Sequence, residues 1–316
     1  MDKLVIAIDA MGSDLGHSSI VEGAFSAVKN FPFVEPVFFG PEEILREETK
    51  KFANMKIIHA PTVIEPSESP TLAFRRKKDS SIVMGLNYVK EGNACGFVSA
   101  GSTGALLTGA TMIIGRKPQI LRPALGTLLP SRNGFVLLMD CGANMDCKPE
   151  FLAQFGQLGA EYVQKCMKIK NPRVALINVG TEEEKGNLLA KEAYILMKNS
   201  GVNFVGNIEG REILSGEADV VVCDGFTGNV ILKFAEGFAK NMMGLLKEEL
   251  FSSTVSKIGA LLSKGAFAKI KKRFDYREVG GAPFLGLNQI VIKAHGSSDA
   301  LAIKNAIRQC VDYQNK

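Results

Sequence analysis

The stretch Gly96-Phe97-Val98-Ser99-Ala100-Gly101-Ser102-Thr103-Gly104-Ala105-Leu106 decides the fold. Its first four residues carry no charge and are long enough for a buried strand but too short for a helix. A turn of small residues follows, and Ala105-Leu106 resumes an apolar pattern, so the chain passes from strand to helix. Residues this small let backbone N–H groups approach an anion closely, and the helix dipole favours negative charge there. Phosphate is the natural guest; a glycine turn that merely packs helix on strand is the plainer alternative.

The same order recurs on both sides of this stretch. Short apolar runs lie at 4–8, 36–39, 56–59, 135–139, 173–178, 202–205, 219–223 and 289–293, with helix-like stretches after them. That alternation predicts an α/β protein, a mostly parallel sheet with helices on both faces. The run 135–139 also suits an inserted antiparallel hairpin. After the runs come Asp9-Ala10-Met11-Gly12, Asp140-Cys141-Gly142-Ala143-Asn144, Gly180-Thr181-Glu182, Asp224-Gly225-Phe226-Thr227-Gly228-Asn229 and His295-Gly296-Ser297-Ser298. In a parallel sheet such segments all leave one edge, so one polar, glycine-lined cleft is expected.

Composition narrows the class. The 316 residues, 46% of them hydrophobic, suffice for a buried core, so a folded chain is expected. No run of about 18 apolar residues occurs, and the start is too quickly acidic for a signal peptide, so a cytosolic protein is expected. Six cysteines lie apart or in apolar runs and read as reduced core residues. Three histidines without ligand spacing argue against a zinc hydrolase, and no metal is expected. The turn 99–106 matches neither dinucleotide nor P-loop spacing, so no cofactor is expected either. Net charge is only +5, but basic residues cluster at 75–78 and from Lys264 to Arg273. A solvated face is one reading, an acidic protein or an anionic membrane the other. The runs lack the aromatic interleaving of a single-strand platform, so nucleic acid is not a predicted partner.

From Glu236 to Phe274 the apolar residues keep a helical spacing: Phe238, Met242, Leu246 and Leu250, then Val255, Ile258 and Leu262, then Phe267, Ile270 and Phe274. This predicts a helical hairpin over 236–275, turning at Ser263-Lys264-Gly265, inside a single unit spanning 1–316. Its apolar stripe beside a basic face suits a membrane surface or a second copy of the chain, with an ordinary core helix as the plainer reading.

Three residues are candidates for chemistry. Lys185, in Glu182-Glu183-Glu184-Lys185-Gly186-Asn187, is either a surface lysine or a loop cation held by neighbouring carboxylates and aimed into the cleft. Asn229 lies near a helix start, where an amide caps the helix or donates to a ligand. His295 is a strand-end histidine or a proton shuttle, with Ser297 or Ser298 as the cap of the last helix.

Together these segments resemble the bacterial acyl carrier protein-dependent phosphate acyltransferases. The likeness covers nearly the whole chain: Ile6 to Gly12, Ala73-Phe74-Arg75-Arg76-Lys77-Lys78-Asp79-Ser80-Ser81, Ser99 to Leu106, Arg122-Pro123-Ala124-Leu125, Asp140 to Asn144, Glu183 to Asn187, Asp224 to Asn229, and Gly281 to Gly286 leading to Ser298. The resemblance implies the fold of isocitrate and isopropylmalate dehydrogenases and phosphotransacetylases, a homodimer, and attachment to the inner membrane face. It implies acyl carrier protein and inorganic phosphate as substrates, Lys185 and Asn229 as phosphate and transfer residues, and membrane contact through 256–274. With it, Asp9, Gly12, Gly101, Ser102, Thr103, Gly104, Asn144, Asp224, Gly228 and Ser297 are expected to bind phosphate or the acyl donor, and His295 to assist. Two positions depart from the family's habit: Ser102 stands where Asn is commoner, and Ser13 follows Gly12 where Gly is frequent.

Two other classes stay open on the residues alone. A decarboxylating NAD-dependent dehydrogenase shares the architecture but needs a dinucleotide fingerprint and a metal-binding aspartate cluster, neither of which is evident. A non-catalytic membrane scaffold would bind through the cleft without turnover; several converging glycine-lined loops favour catalysis.

Overall fold

In the computed structural model, which describes residues 3–50, 52, 55–65 and 67–314, Ile6 and Ile8 enter one buried core and Ala7 enters another. This alternation is what a strand covered on both faces requires. Among the described residues the strands are β1 (Leu4–Asp9), β2 (Val34–Gly40), β3 (Lys56–His59), β4 (Gly96–Ser99), β5 (Ala124–Ser131), β6 (Gly134–Met139), β7 (Arg173–Asn178), β8 (Asn203–Glu209), β9 (Val220–Val222), β10 (Ala282–Leu285) and β11 (Ile290–Lys293). They form one sheet in the order β3-β2-β1-β4-β11-β10-β5-β6-β9-β7-β8.

The sequence reading named neither β5 nor β10. Gly126, Pro130 and Pro283 interrupt those runs and read as turn residues, yet the runs fill the middle of the sheet. β10 pairs antiparallel with both β11 and β5, and β5 pairs antiparallel with β6. The hairpin alternative for 135–139 is therefore what forms, and β6 continues parallel to β9 on its other side. This reversal corrects the expectation of a single edge: β6, β9, β7 and β8 run opposite to β1, β4 and β11, so their carboxyl ends leave the other way.

Helices α1 (Gly16–Asn30) and α2 (Glu42–Thr49) follow β1 and β2, and α3 (Pro70–Arg76) and α4 (Ser81–Lys90) precede β4. Then come α5 (Thr103–Gly109), α6 (Pro149–Met167), α7 (Leu188–Lys198), α8 (Gly225–Leu250), α9 (Thr254–Leu262), α10 (Lys264–Arg273), α11 (Tyr276–Val279) and α12 (Ala300–Gln314). One continuous core lies beneath α1, α6, α7 and α12, through Ile20, Phe155, Met197 and Ile307. The opposite face has two separate cores. One lies under α3, α4 and α5, through Phe74, Leu86 and Leu106; the other gathers Leu138, Val221 and Ile208 with Ile231 and Leu232 of α8.

The break between those two cores makes the cleft. Neighbouring strands rotate by about 20–25°, so four steps from β4 to β6 turn the strand axis by roughly 80–100°. That rotation swings the carboxyl ends of the second half round toward the face carrying α5, and Ala143, just after β6, packs against the core beneath α5. The loop after β6 and α5 therefore meet over a face of the sheet.

Beyond the sheet, α8 is longer than the expected hairpin arm, running 26 residues from its Asp224 cap. A break at 251–253 precedes α9, capped by Ser253, and a second turn at Ser263 precedes α10. The expected turn at 263–265 is thus joined by an earlier one, giving three helical pieces. The guanidinium of Arg273 donates to the carbonyls of Ser131 and Arg132, tying the end of α10 to the β5–β6 hairpin.

The start of α8 is fixed by close packing. A Cβ added at Gly228 would lie 1.9 Å from the Asp140 carbonyl oxygen, whereas one at Gly237 meets nothing within 4 Å. Gly228→Ala is therefore expected to lose about 2–3 kcal/mol in urea unfolding, and Gly237→Ala to gain up to about 1 kcal/mol. Equal effects at the two sites would contradict this packing.

Candidate active site

At the ends of β1 and β4 the structure builds the glycine turn from the inside. Asp9 is only 1% exposed. Its carboxylate accepts from Met11 N at 2.9 Å and from Ser99 Oγ at 2.6 Å, and Ser99 Oγ in turn accepts from Gly101 N at 3.0 Å. Asp9 thus stands behind the turn and orients it. Gly12 has φ +77°, and a Cβ there would lie 2.8 Å from Gly101 Cα, so the two turns touch backbone to backbone. Ser102 caps α5 by accepting from Ala105 N at 3.4 Å. Thr103 and Gly104, the exposed first residues of the helix, keep N–H groups with no partner among the described residues.

A second cluster forms after β6 and β9. Asp140 is fully buried, and its two oxygens accept four bonds: from Leu125 N, Ala143 N, Asn144 N and Asn144 Nδ2. Burial raises its pKa, while those donors oppose the shift. Asn144 also donates through Nδ2 to the Pro123 carbonyl at 2.9 Å and accepts from Gly225 N at 2.8 Å through its own carbonyl. Its amide hydrogens are therefore used internally. Asp224 caps α8, accepting from Thr227 N at 2.9 Å and Thr227 Oγ1 at 2.7 Å. The cap expected of Asn229 is thus supplied by Asp224. Asn229 lies one turn on, beside Gly142, whose added Cβ would be 3.7 Å from Asn229 Cγ. Its amide makes no hydrogen bond among the described residues. Gly228 is packing, pressed under the Asp140 carbonyl.

Lys185 lies in the loop after β7, the neighbour of β9, and so on the same half of the sheet as Asn229 and Asn144. The expected grip by neighbouring carboxylates is absent: Glu183 pairs with Lys198 at 3.2 Å instead, and the Lys185 ammonium is exposed without a carboxylate among the described residues. The backbone holds it, Asn178 Nδ2 donating to the Lys185 carbonyl at 3.0 Å. His295 and Ser297 lie at the end of β11, beside the first cluster. Ser297 N donates to His295 Nδ1 at 3.2 Å, and Ser297 Oγ stands 2.8 Å from the same nitrogen. That pattern leaves Nε2 carrying the ring hydrogen. The last helix is capped by Asp299, which accepts from Ala302 N at 3.1 Å, so neither Ser297 nor Ser298 performs the expected role.

Sequence reasoning missed Lys293. It ends β11 as the cross-strand neighbour of Ser99 and Ala282, where a lysine reads as an ordinary strand-end cation. Its ammonium instead lies beneath the glycine turn, donating to the carbonyls of Ala100 (3.2 Å) and Ala294. Burial lowers its pKa to about 8, and burial raises that of Asp9 to about 6. The cysteines offer no poised nucleophile. Burial lifts the thiols of Cys141, Cys147 and Cys166 to about 12 and that of Cys95 to about 11, with Cys223 and Cys310 also well above the usual range.

Beside the second cluster runs a groove of about 900 Å³. One wall is the outer side of α5 and the π-helical turn Ala110–Ile114 that continues it; the other is the loop through Ala143, Asn144 and Lys148. A sheet reversed at β10 and β5 with a cleft on one face defines a class of α/β fold. A phosphotransacetylase from Streptococcus pyogenes superposes with a TM-score of 0.68 at 20% identity, covering 99% of this chain and 95% of that one. A 4-hydroxythreonine-4-phosphate dehydrogenase from Burkholderia phymatum does so with 0.55 at 13% identity, covering both chains completely. The family model described as "Fatty acid synthesis protein" matches residues 4–316. A phosphate acyltransferase from Clostridium beijerinckii is 50% identical over 317 residues, covering 98% of this chain and 95% of its own. The chain belongs to this family of phosphate acyltransferases, which are acyltransferase enzymes.

The two shifted groups make opposite contributions to stability. Lys293 falls from 10.5 to about 8 on folding, so between those values the unfolded chain binds the extra proton and stability rises with pH. Asp9 rises from 3.8 to about 6, so its contribution is complete below 3.8 and is lost as pH climbs through 6. Relative to the parent, Lys293→Met should be more favoured at pH 7.5 than at pH 10.5 in denaturant titrations. A difference that does not change with pH would show that the ammonium is not desolvated.

Proposed function

We propose that the chain transfers a fatty acyl group from acyl carrier protein to inorganic phosphate, releasing acyl phosphate and free carrier-protein thiol on the way to phosphatidic acid and phospholipid. The observation that carries this reading is a set of donors left without an internal partner. They are the N–H groups of Thr103 and Gly104, with Lys293 donating to the turn before them, and the Asn229 amide beside Gly142.

Phosphate is its own nucleophile in this scheme. One of its oxygens attacks the thioester carbonyl carbon, the C–S bond breaks, and the sulfur leaves as thiolate. Nothing is oxidised or reduced, and no activated serine or cysteine is required, in keeping with the raised thiol pKa values. Asn229, Lys185 and backbone N–H groups supply donors for the phosphate and for the developing oxyanion. The thiolate takes its proton from solvent or through His295, whose Nε2 hydrogen is free to donate a hydrogen bond to the leaving sulfur.

The donor rides on an acidic protein, so a basic docking surface is part of the reading. Arg75, Arg76 and Lys78 are exposed, whereas Lys77 is committed to Glu68 at 2.6 Å and the Val63 carbonyl at 2.8 Å. Homodimer formation is assigned to the exposed stripe Phe226, Val230, Phe234, Phe238 and Met242 on α8. Membrane contact is assigned to α9 and α10, where Val255 is 81% and Leu262 82% exposed beside the lysines of 264–272. No helix among the described residues is long and apolar enough to cross a membrane. Flotation with anionic vesicles tests the membrane assignment, and sedimentation equilibrium the dimer.

The reaction is tested by mixing protein, phosphate and palmitoyl carrier protein, and following free thiol with hydroxylamine trapping of acyl phosphate. Phosphate-dependent thiol release with trapped product is expected. Lys185→Ala should lower turnover by roughly a hundredfold; unchanged turnover would remove Lys185 from the mechanism.

A further inference from the structure

Resting on that reading, we propose that the groove beside α5 binds the flexible arm that presents the thioester, with Arg116, Arg122 and Lys148 holding an anionic phosphodiester at the arm's far end. Three observations carry this.

First, the groove runs along the helix that the glycine turn opens. Asn144 lines it, and the residues of its other wall, Leu107, Thr108, Thr111 and Met112, continue the helical rows that begin at Thr103 and Gly104. From Thr103 to Met112 that face extends about 14 Å at the usual rise per residue. A long, narrow ligand lying along it would bring one end to the start of α5 and leave the other at Arg116.

Second, the lining suits an amphipathic chain. Leu107, Met112, Leu121 and Phe151 give apolar contact, and the two threonine hydroxyls and Asn144 give polar contact. A simple hydrocarbon tail would not call for this mixture; an arm built of amides and methylenes would.

Third, charge collects at the mouth. Arg116, Arg122 and Lys148 are all exposed and form no ion pair among the described residues, against one lining carboxylate, Glu150. The Arg122 guanidinium lies 6.0 Å from the Phe151 ring centroid, and Arg116 Nη1 donates to the Leu121 carbonyl, so both arginines are steadied in place. The 19-residue α6 starts here, adding the positive end of its dipole. The free motif Arg122-Pro123 thereby acquires a role: Pro123 anchors Asn144 through its carbonyl while Arg122 faces the groove.

A phosphate-linked arm occurs both on a carrier protein and on a free coenzyme thioester, and the test separates them. Palmitoyl 4′-phosphopantetheine and palmitoyl pantetheine, which differ only in the phosphate, are compared as donors, alongside the carrier-protein and coenzyme A thioesters. The unaltered protein should prefer the phosphorylated arm by about tenfold or more in kcat/KM, mainly through KM. In the double variant Arg122→Gln, Lys148→Gln that preference should fall to near unity, with the melting temperature reporting folding. Phosphopantetheine blocked at its thiol should also compete with the donor for the unaltered protein, and do so better than blocked pantetheine. Equal use of the two small donors by the unaltered protein overturns the proposal, as does a preference that survives in the double variant. A defect confined to the carrier-protein thioester overturns it too, by placing the contact on the protein. If no thioester of any kind is turned over, the function itself fails, which is a different outcome.

Discussion

Two antiparallel strands, β10 and β5, sit in the middle of an otherwise parallel sheet, and the strands beyond them run the other way. Without that reversal the loops after β1, β4 and β11 and those after β6, β9 and β7 would line one edge. With it, and with the accumulated twist, the second set swings toward the helices that cover the first set, and a cleft opens where the cores on that face separate. The candidate chemistry therefore depends on backbone direction as much as on the residues in the loops.

Within the cleft the carboxylates do positioning work. Asp9 and Asp140 sit at corresponding places, each at the end of a buried strand, each with its oxygens given to the turn that follows. Buried carboxylates of this kind are tolerable only when well supplied with donors, and they fix a loop strongly in return. The outward-facing donors are different groups: backbone N–H at α5, the amide of Asn229 and the ammonium of Lys185. Separating internal acceptors from external donors leaves a net donor surface, which suits an anionic substrate and an oxyanion.

Much of the layout was legible in the residues. The short apolar runs located nine of the strands, whereas the caps fall on Asp224 and Asp299 and not on Asn229 and Ser297 or Ser298, one to five residues away. Strand direction was not legible, because alternation of apolar residues is the same read either way along a sheet. β5 and β10 were hidden by Pro130, Gly126 and Pro283, whose local preference for turns is outweighed by pairing on both sides. Lys293 was hidden for a similar reason: a strand-end lysine is usually solvated, and only the fold reveals the glycine turn lying over it. The difference between Asp9 as a ligand contact and Asp9 as a support is likewise set by burial, which no local motif encodes.

The central claim is that phosphate and thioester meet in the cleft between the first turn of α5 and the Gly142–Asn229 side. A crystal structure of the protein with inorganic phosphate and a thioether analogue of the acyl donor tests it most directly. The account predicts phosphate within hydrogen-bonding distance of the Thr103 and Gly104 N–H groups or the Asn229 amide, with the analogue's sulfur beside it. Phosphate and sulfur bound outside that cleft, or on opposite sides of the sheet, would contradict it.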